Sequence, residues 1–137
     1  MGLIYREKEF SKEMNDPPYT DHIVCGDSLE VLKEFPDNCV DMIITSPPYN
    51  FKMEYDKHRD SDSWDDYFKM LFPILGESIR VLRYGGRFAL NIQDKYSERM
   101  STSFYIKKFF LESGLGWYSD MVWYKQHMNA RVSTFGS

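Results

Sequence analysis

The spacing of apolar residues along this chain changes at regular intervals, and the changes mark out alternating elements. "HIVCGD", residues 22–27, is a short apolar run ending in Gly26-Asp27. It reads as a strand with its exit turn. In "SLEVLKEF" Leu29, Leu32 and Phe35 recur at helical spacing, and Ser28 is placed to cap the start. "PDN" breaks that helix. "CVDMIIT" follows, where Val40, Met42, Ile43 and Ile44 form a nearly continuous β-rich run. Such a run predicts a parallel strand buried on both faces. Residues 50–62 are charged and without period, so a long loop is expected there. Ser63 then reads as a helix cap, with Asp65 and Asp66 in the first turn, where the helix dipole favours anions. Tyr67, Leu71, Ile74, Ser78 and Leu82 share one face of this helix, and Pro73 inside it predicts a kink or two shorter helices. Gly85 or Gly86 supplies the stop. "RFALNI" is the next strand, "STSFYIKKFFLES" a helix stopped by Gly114, and "WYSDMVWYK" the last strand.

The resulting order is strand, helix, strand, helix, strand, helix, strand. Alternation of this kind predicts an α/β sheet with right-handed crossovers, whose ligands bind beyond the carboxyl ends of the strands. Gly26-Asp27 and the residues after Thr45 both fall at such ends. Residues 1–20 are polar, with at most a short helix around 6–14. Residues 21–125 carry the elements, and residues 126–137 have no clear pattern.

Composition narrows the class. With 42% hydrophobic and 17% aromatic residues the chain can bury a core. No apolar run is long enough to span a bilayer, and no signal peptide is expected. Cys25 and Cys39 sit in apolar stretches without metal-ligand spacing, so both are expected as buried thiols of a reducing, cytoplasmic protein. The three histidines are scattered, and no metal site is expected. Net charge is -4, which weighs against a purely nucleic-acid-binding module. Its distribution is uneven: residues 1–82 hold 9 Lys/Arg against 17 Asp/Glu, and residues 83–137 hold 8 against 4. A basic second half could face phosphate, and ordinary surface variation would produce the same imbalance.

Two copies of one tetrapeptide pattern remain, Asp16-Pro17-Pro18-Tyr19 and Ser46-Pro47-Pro48-Tyr49. Two prolines lock a backbone and remove two N–H donors, which is useful where a buried strand aims the loop into a cleft. Only the second copy follows such a strand. The first follows polar residues and reads as a turn or extended linker. Neither has the Pro-Pro-any-Tyr spacing of WW-domain ligands.

"GDSLEVLKEFPDNCVDMIITSPPYN", "RVLRYGGRFALNI" and "MVWYK" together resemble the catalytic part of S-adenosylmethionine-dependent DNA amino-methyltransferases. The resemblance is to the permuted group, in which the catalytic motif precedes the cofactor motif, and it covers residues 22 to about 125. It implies a Rossmann-like class I methyltransferase fold acting on duplex DNA, with S-adenosylmethionine as cofactor. Ser46, Pro47, Pro48 and Tyr49 would then form the base site, and the target base would leave the duplex to reach it. Serine at the first motif position resembles the cytosine N4 enzymes and aspartate the adenine N6 enzymes, so cytosine is expected and adenine is the alternative. Asp27 matches the acidic residue that contacts the cofactor adenine in this family, with Ser28 beside it; a simple helix-capping role is the other reading. Trp64 and Tyr67 read as core rather than as a cofactor-side pair. Related motifs also methylate RNA bases and protein glutamines, and a non-catalytic scaffold subunit is a further alternative.

The family's glycine-rich cofactor loop is not found in residues 1–137. The chain is therefore expected to be a half-domain with a partial sheet: a fragment, a truncated gene or one subunit of a split enzyme. The strand ending at Thr45 would then be an apolar edge, covered by a complementary chain or by self-association. The 50–62 segment is expected to act as a mobile lid, with Lys52, Lys57 and Arg59 meeting DNA phosphate.

Overall fold

A computed structural model describes residues 2–6, 15–50, 54–55, 58–59, 63–94 and 100–123. In chain order the elements are β1 (Gly2–Arg6), α1 (Ser28–Lys33), β2 (Val40–Thr45), β3 (Glu54–Tyr55), β4 (His58–Arg59), α2 (Trp64–Val81), β5 (Leu82–Leu90), α3 (Thr102–Glu112) and β6 (Leu115–Asp120). Four strands form a sheet in the order β2-β5-β1-β6, and β3 pairs with β4 as a separate ribbon. The β2–β5 pair is parallel, whereas β1 runs antiparallel to both β5 and β6. The α/β expectation holds, with a mixed sheet in place of a wholly parallel one. No helix among the described residues is long and apolar enough to cross a membrane.

The core lies between the sheet and the helices α2 and α3. Phe88 of β5 meets Phe110 of α3 at 4.8 Å between ring centroids, and both are fully buried. Phe72 of α2 stacks on Phe109 of α3 at 4.4 Å, so the two helices close on each other over the sheet. Leu71, Leu75 and Ile79 give α2 its buried face. Arg80, near the end of α2, holds the neighbouring helix α1. Its guanidinium donates to the carbonyls of Leu32 and Phe35 at 2.9 and 2.8 Å and pairs with Asp37 at 2.7 Å. Those carbonyls belong to the last turn of α1 and the residues beyond it, where a helix leaves its acceptors unsatisfied.

Several expectations are corrected. Residues 22–27 form no strand; Ile23 is fully exposed and Cys25 is exposed rather than buried. A strand exists only where a neighbour takes up its N–H and C=O groups, and no described segment pairs with this one. Cys39 is buried as expected, and burial pushes its thiol pKa up. The strand that was missed is β1, from a stretch read as polar; its Ile4 is buried between β5 and β6. β2 is covered on one face only, since Met42 and Ile44 are 48% and 67% exposed. Ser63 caps α2 as expected, but α2 runs uninterrupted through Pro73 rather than as two helices. Pro73 lies on the exposed side, where water can take the carbonyl its missing N–H leaves unpaired. Asp27, not Ser28, is the N-cap of α1, its carboxylate accepting from the Leu29 and Glu30 amides. The 54–55 and 58–59 stretches of the expected loop form the β3–β4 ribbon, and the lid expected over the rest of 50–62 lies outside the described residues, as does the helix around 6–14. The last strand starts at Leu115 and ends at Asp120, leaving Val122 and Trp123 exposed.

The two glycines expected to stop α2 do something else. The helix ends at Val81 with an extended cap at Leu82, and Gly85 (φ 83°) and Gly86 lie within β5. There they absorb a bulge: Val40 pairs with Leu82 but Met42 with Arg87. A Cβ on Gly86 would stand 2.8 Å from the Arg83 carbonyl oxygen and 2.9 Å from that of Asp41. Gly86→Ala should therefore destabilise the fold by about 1–3 kcal/mol in denaturant unfolding. Gly76→Ala, inside α2 where nothing lies within 4 Å of the new methyl, should stabilise it by about 0.5–1 kcal/mol.

Candidate functional site

β2 and β5 run parallel, so their carboxyl ends finish on the same rim. The ladder's last pair is Thr45 with Leu90, and the Asn91 amide extends it by donating to the Thr45 carbonyl at 2.9 Å. Ser46 and Asn91 are thereby delivered side by side, one at the end of each strand. Ser46 opens the Ser-Pro-Pro-Tyr loop, and Asn91 follows the last residue of β5.

Polar contacts tie this loop down from two directions. Asn91 Nδ2 donates to Tyr49 Oη at 2.8 Å and to Ser46 Oγ at 3.4 Å. The two hydroxyls lie 3.0 Å apart. From the other side, Tyr67 Oη on α2 donates to the Pro48 carbonyl at 2.7 Å. Tyr67 is nearly fully buried and packs edge-on against Trp64 and Phe68, so its hydroxyl is a fixed donor. Asn50 ends the loop with φ 60°, a left-handed conformation, and its side chain is buried. Asparagine adopts that conformation more readily than other residues with a Cβ.

Behind the loop a cavity of about 520 Å³ opens between α1, α2 and β2. Gly26, Ser28, Thr45, Ser46, Pro47 and Pro48 are part of its lining, with Val31, Leu71 and Ile74 as its apolar wall. That volume lies within the range of small-molecule sites, about 300–1,000 Å³. Asp27 stands between two of the lining residues.

The expected site residues thus fall into groups. Ser46, Pro47, Pro48 and Tyr49 form one ordered loop on the rim. Asp27 and Ser28 lie at the head of α1, where Ser28 lines the same cavity as the loop and Asp27 beside it serves as helix cap. The side chains of Lys52, Lys57 and Arg59 lie outside the described residues. Asp16-Pro17-Pro18-Tyr19 is a mostly exposed stretch that continues no strand; Tyr19 donates to Glu34 at 2.6 Å and packs on Phe35. Among the described residues no cluster of His, Cys, Asp or Glu could hold a metal. Sequence reasoning missed Asn91 and the part that Tyr67 plays. Asn91 did carry a signal, as the polar residue ending "RFALN" at a strand's carboxyl end. Tyr67 was read as core, and it is core; its hydroxyl alone reaches the loop.

Known proteins are similar to this chain over most of its length. The N6/N4 methyltransferase family described as DNA methylase matches residues 40–136. Type II methyltransferase M.MjaVI of Methanocaldococcus jannaschii is 28% identical over 113 residues, covering 81% of this chain and 57% of that protein. Type II methyltransferase M.HpaI of Haemophilus parainfluenzae is 33% identical over 104 residues, covering 74% of this chain and 31% of the relative. Type II methyltransferase M.BamHI of Bacillus amyloliquefaciens is 41% identical over 78 residues, covering 54% and 18%. The chain thus spans between about a fifth and just over half the length of these relatives.

Tyr67→Phe keeps the ring and removes the donor to Pro48. Unfolding free energy should fall by about 1–2 kcal/mol, since a part-buried carbonyl loses its partner. Tyr19→Phe should cost less in the same denaturant titration, because Glu34 is exposed and water replaces the lost bond.

Proposed function

From the premise that this chain belongs to the DNA methylase family of N6- and N4-methyltransferases, we propose that it supplies the base-binding half of an enzyme methylating cytosine N4 in duplex DNA. S-adenosylmethionine is the methyl donor. The observation that carries this reading is the Ser-Pro-Pro-Tyr loop, held on the strand rim by Asn91 and Tyr67.

The chemistry explains why such a loop is needed. The amino nitrogen of a base is a poor nucleophile, because its lone pair is delocalised into the ring. Acceptors on the amino protons localise that pair, and Ser46 Oγ with the Pro47 carbonyl are the acceptors in this reading. The prolines leave the loop little freedom to lose, so the acceptors are preorganised for the transition state. Tyr49 offers a face on which an extruded base stacks, worth about 1–3 kcal/mol in comparable sites. When bound, S-adenosylmethionine would supply a methyl on a cationic sulfur, leaving as the neutral thioether, while the surplus amino proton would pass to solvent. Asp27 and Ser28 would hold its adenosine end on the cavity shared with the loop. Lys52, Lys57 and Arg59 would neutralise DNA phosphates.

Serine at position 46 favours cytosine, and adenine N6 is the alternative product. Mass spectrometry of nucleosides after incubation with DNA, S-adenosylmethionine and any partner chain separates the two, and finding neither overturns DNA methylation. In that assay Ser46→Ala and Tyr49→Ala should each lower turnover at least tenfold, and Tyr19→Ala should leave it within about twofold. A damaging Tyr19→Ala would reverse the choice between the two tetrapeptides.

The partner is also part of this proposal. β2 is an edge strand among the described residues, and Met42 and Ile44 leave one of its faces apolar and exposed. An open apolar edge invites another strand, from a complementary chain or a second copy. The lone chain should then bind S-adenosylmethionine weakly by calorimetry and associate in sedimentation. A monomer that binds the cofactor tightly and methylates DNA alone would overturn the shared-site reading.

A further inference from the structure

We infer that Asn91 is a positioning residue for methyl transfer, locking Ser46 and Tyr49 into one rigid arrangement; this rests on the reading of the Ser-Pro-Pro-Tyr loop just given. The three side chains close a triangle, with Asn91 Nδ2 at 2.8 Å from Tyr49 Oη, at 3.4 Å from Ser46 Oγ, and 3.0 Å between the two hydroxyls. A side-chain NH₂ group only donates, so both hydroxyl oxygens act as acceptors toward it. The two hydroxyls also bond to each other, and the amide ties that pair to the end of β5. The amide gives both a fixed reference, and its own position is set by the backbone bond from Asn91 to Thr45.

The same contacts decide where Tyr49 stands. Its hydroxyl is pinned to β5, so the ring is held at one angle over the rim while the loop backbone is pinned separately through Pro48. The acceptor at Ser46 and the stacking face at Tyr49 thereby keep a constant relation to each other. A displacement of an ångström in such an arrangement can lower turnover by about a hundredfold. Asn91 lies beyond the end of β5 and is only half-buried, so its side chain fills no part of the core.

Asn91→Leu in the active enzyme, the chain with whatever partner restores turnover, should lower kcat by about 10–100-fold. KM for S-adenosylmethionine and for DNA should change by less than threefold, and the melting temperature should fall by no more than about 5 °C. In a Tyr49→Phe background the same substitution should cost much less, because the main acceptor of the amide is already gone. A second readout needs no activity. The Asn91 side-chain amide signal, identified by its loss in the Asn91→Leu spectrum of ¹⁵N-labelled chain, should shift on Tyr49→Phe and not on Tyr19→Phe. Wild-type kcat in Asn91→Leu beside a damaging Ser46→Ala, or an amide signal unmoved by Tyr49→Phe, overturns this inference alone. Wild-type kcat in Ser46→Ala and Tyr49→Ala overturns the reading of the loop and the inference with it.

Discussion

The parallel pairing of β2 with β5 is the constraint on which the rest of this structure depends. It aligns Ile43 with Phe88, Ile44 with Ala89 and Thr45 with Leu90. Because the strands point the same way, the residues following each emerge together on one rim. A slip of one residue would turn Ile43 out of the core and carry Asn91 away from Ser46. The register is protected at its other end by the bulge at Gly85 and Gly86, where the longer strand loses its surplus length. Gly86 fits there because carbonyl oxygens of both strands stand where a Cβ would be.

Helix α2 turns that register into a rigid loop. Its core face rests on the sheet, its Tyr67 reaches the Pro48 carbonyl, and its Arg80 gathers the end of α1. The loop is thus braced by a strand on one side and a helix on the other. Each bond is worth about 1 kcal/mol by itself. They act on a backbone that two prolines have already stiffened, so few contacts suffice to hold its polar groups in place.

The β2 edge of the sheet is a different environment. Among the described residues, 22–27, β-rich and apolar, lie exposed with no pairing partner, and β2 has one face and one edge uncovered. An apolar strand sequence that finds no ladder keeps its hydrogen-bonding groups in water and its side chains on the surface. That is the physical character of a fold whose hydrophobic pattern exceeds the sheet available to satisfy it.

The features legible in the sequence are those with local causes. Ser63 and the heptad-like spacing behind it specify the start and face of α2; Gly114, with φ 84°, stops α3; and the run before Ser46 marks a strand aiming a proline-locked loop. Tertiary structure alone decided where pairing was concerned. The run at 22–27 reads as an apolar strand and the "GLIYR" of β1 lies in a stretch that reads as polar, yet only the second has neighbours on both sides. In the same way Asn91 and the Tyr67 hydroxyl join the site only through the strand register and the packing of α2. A helix carries its hydrogen bonds within its own sequence, whereas a strand or a site borrows its partners from residues far along the chain.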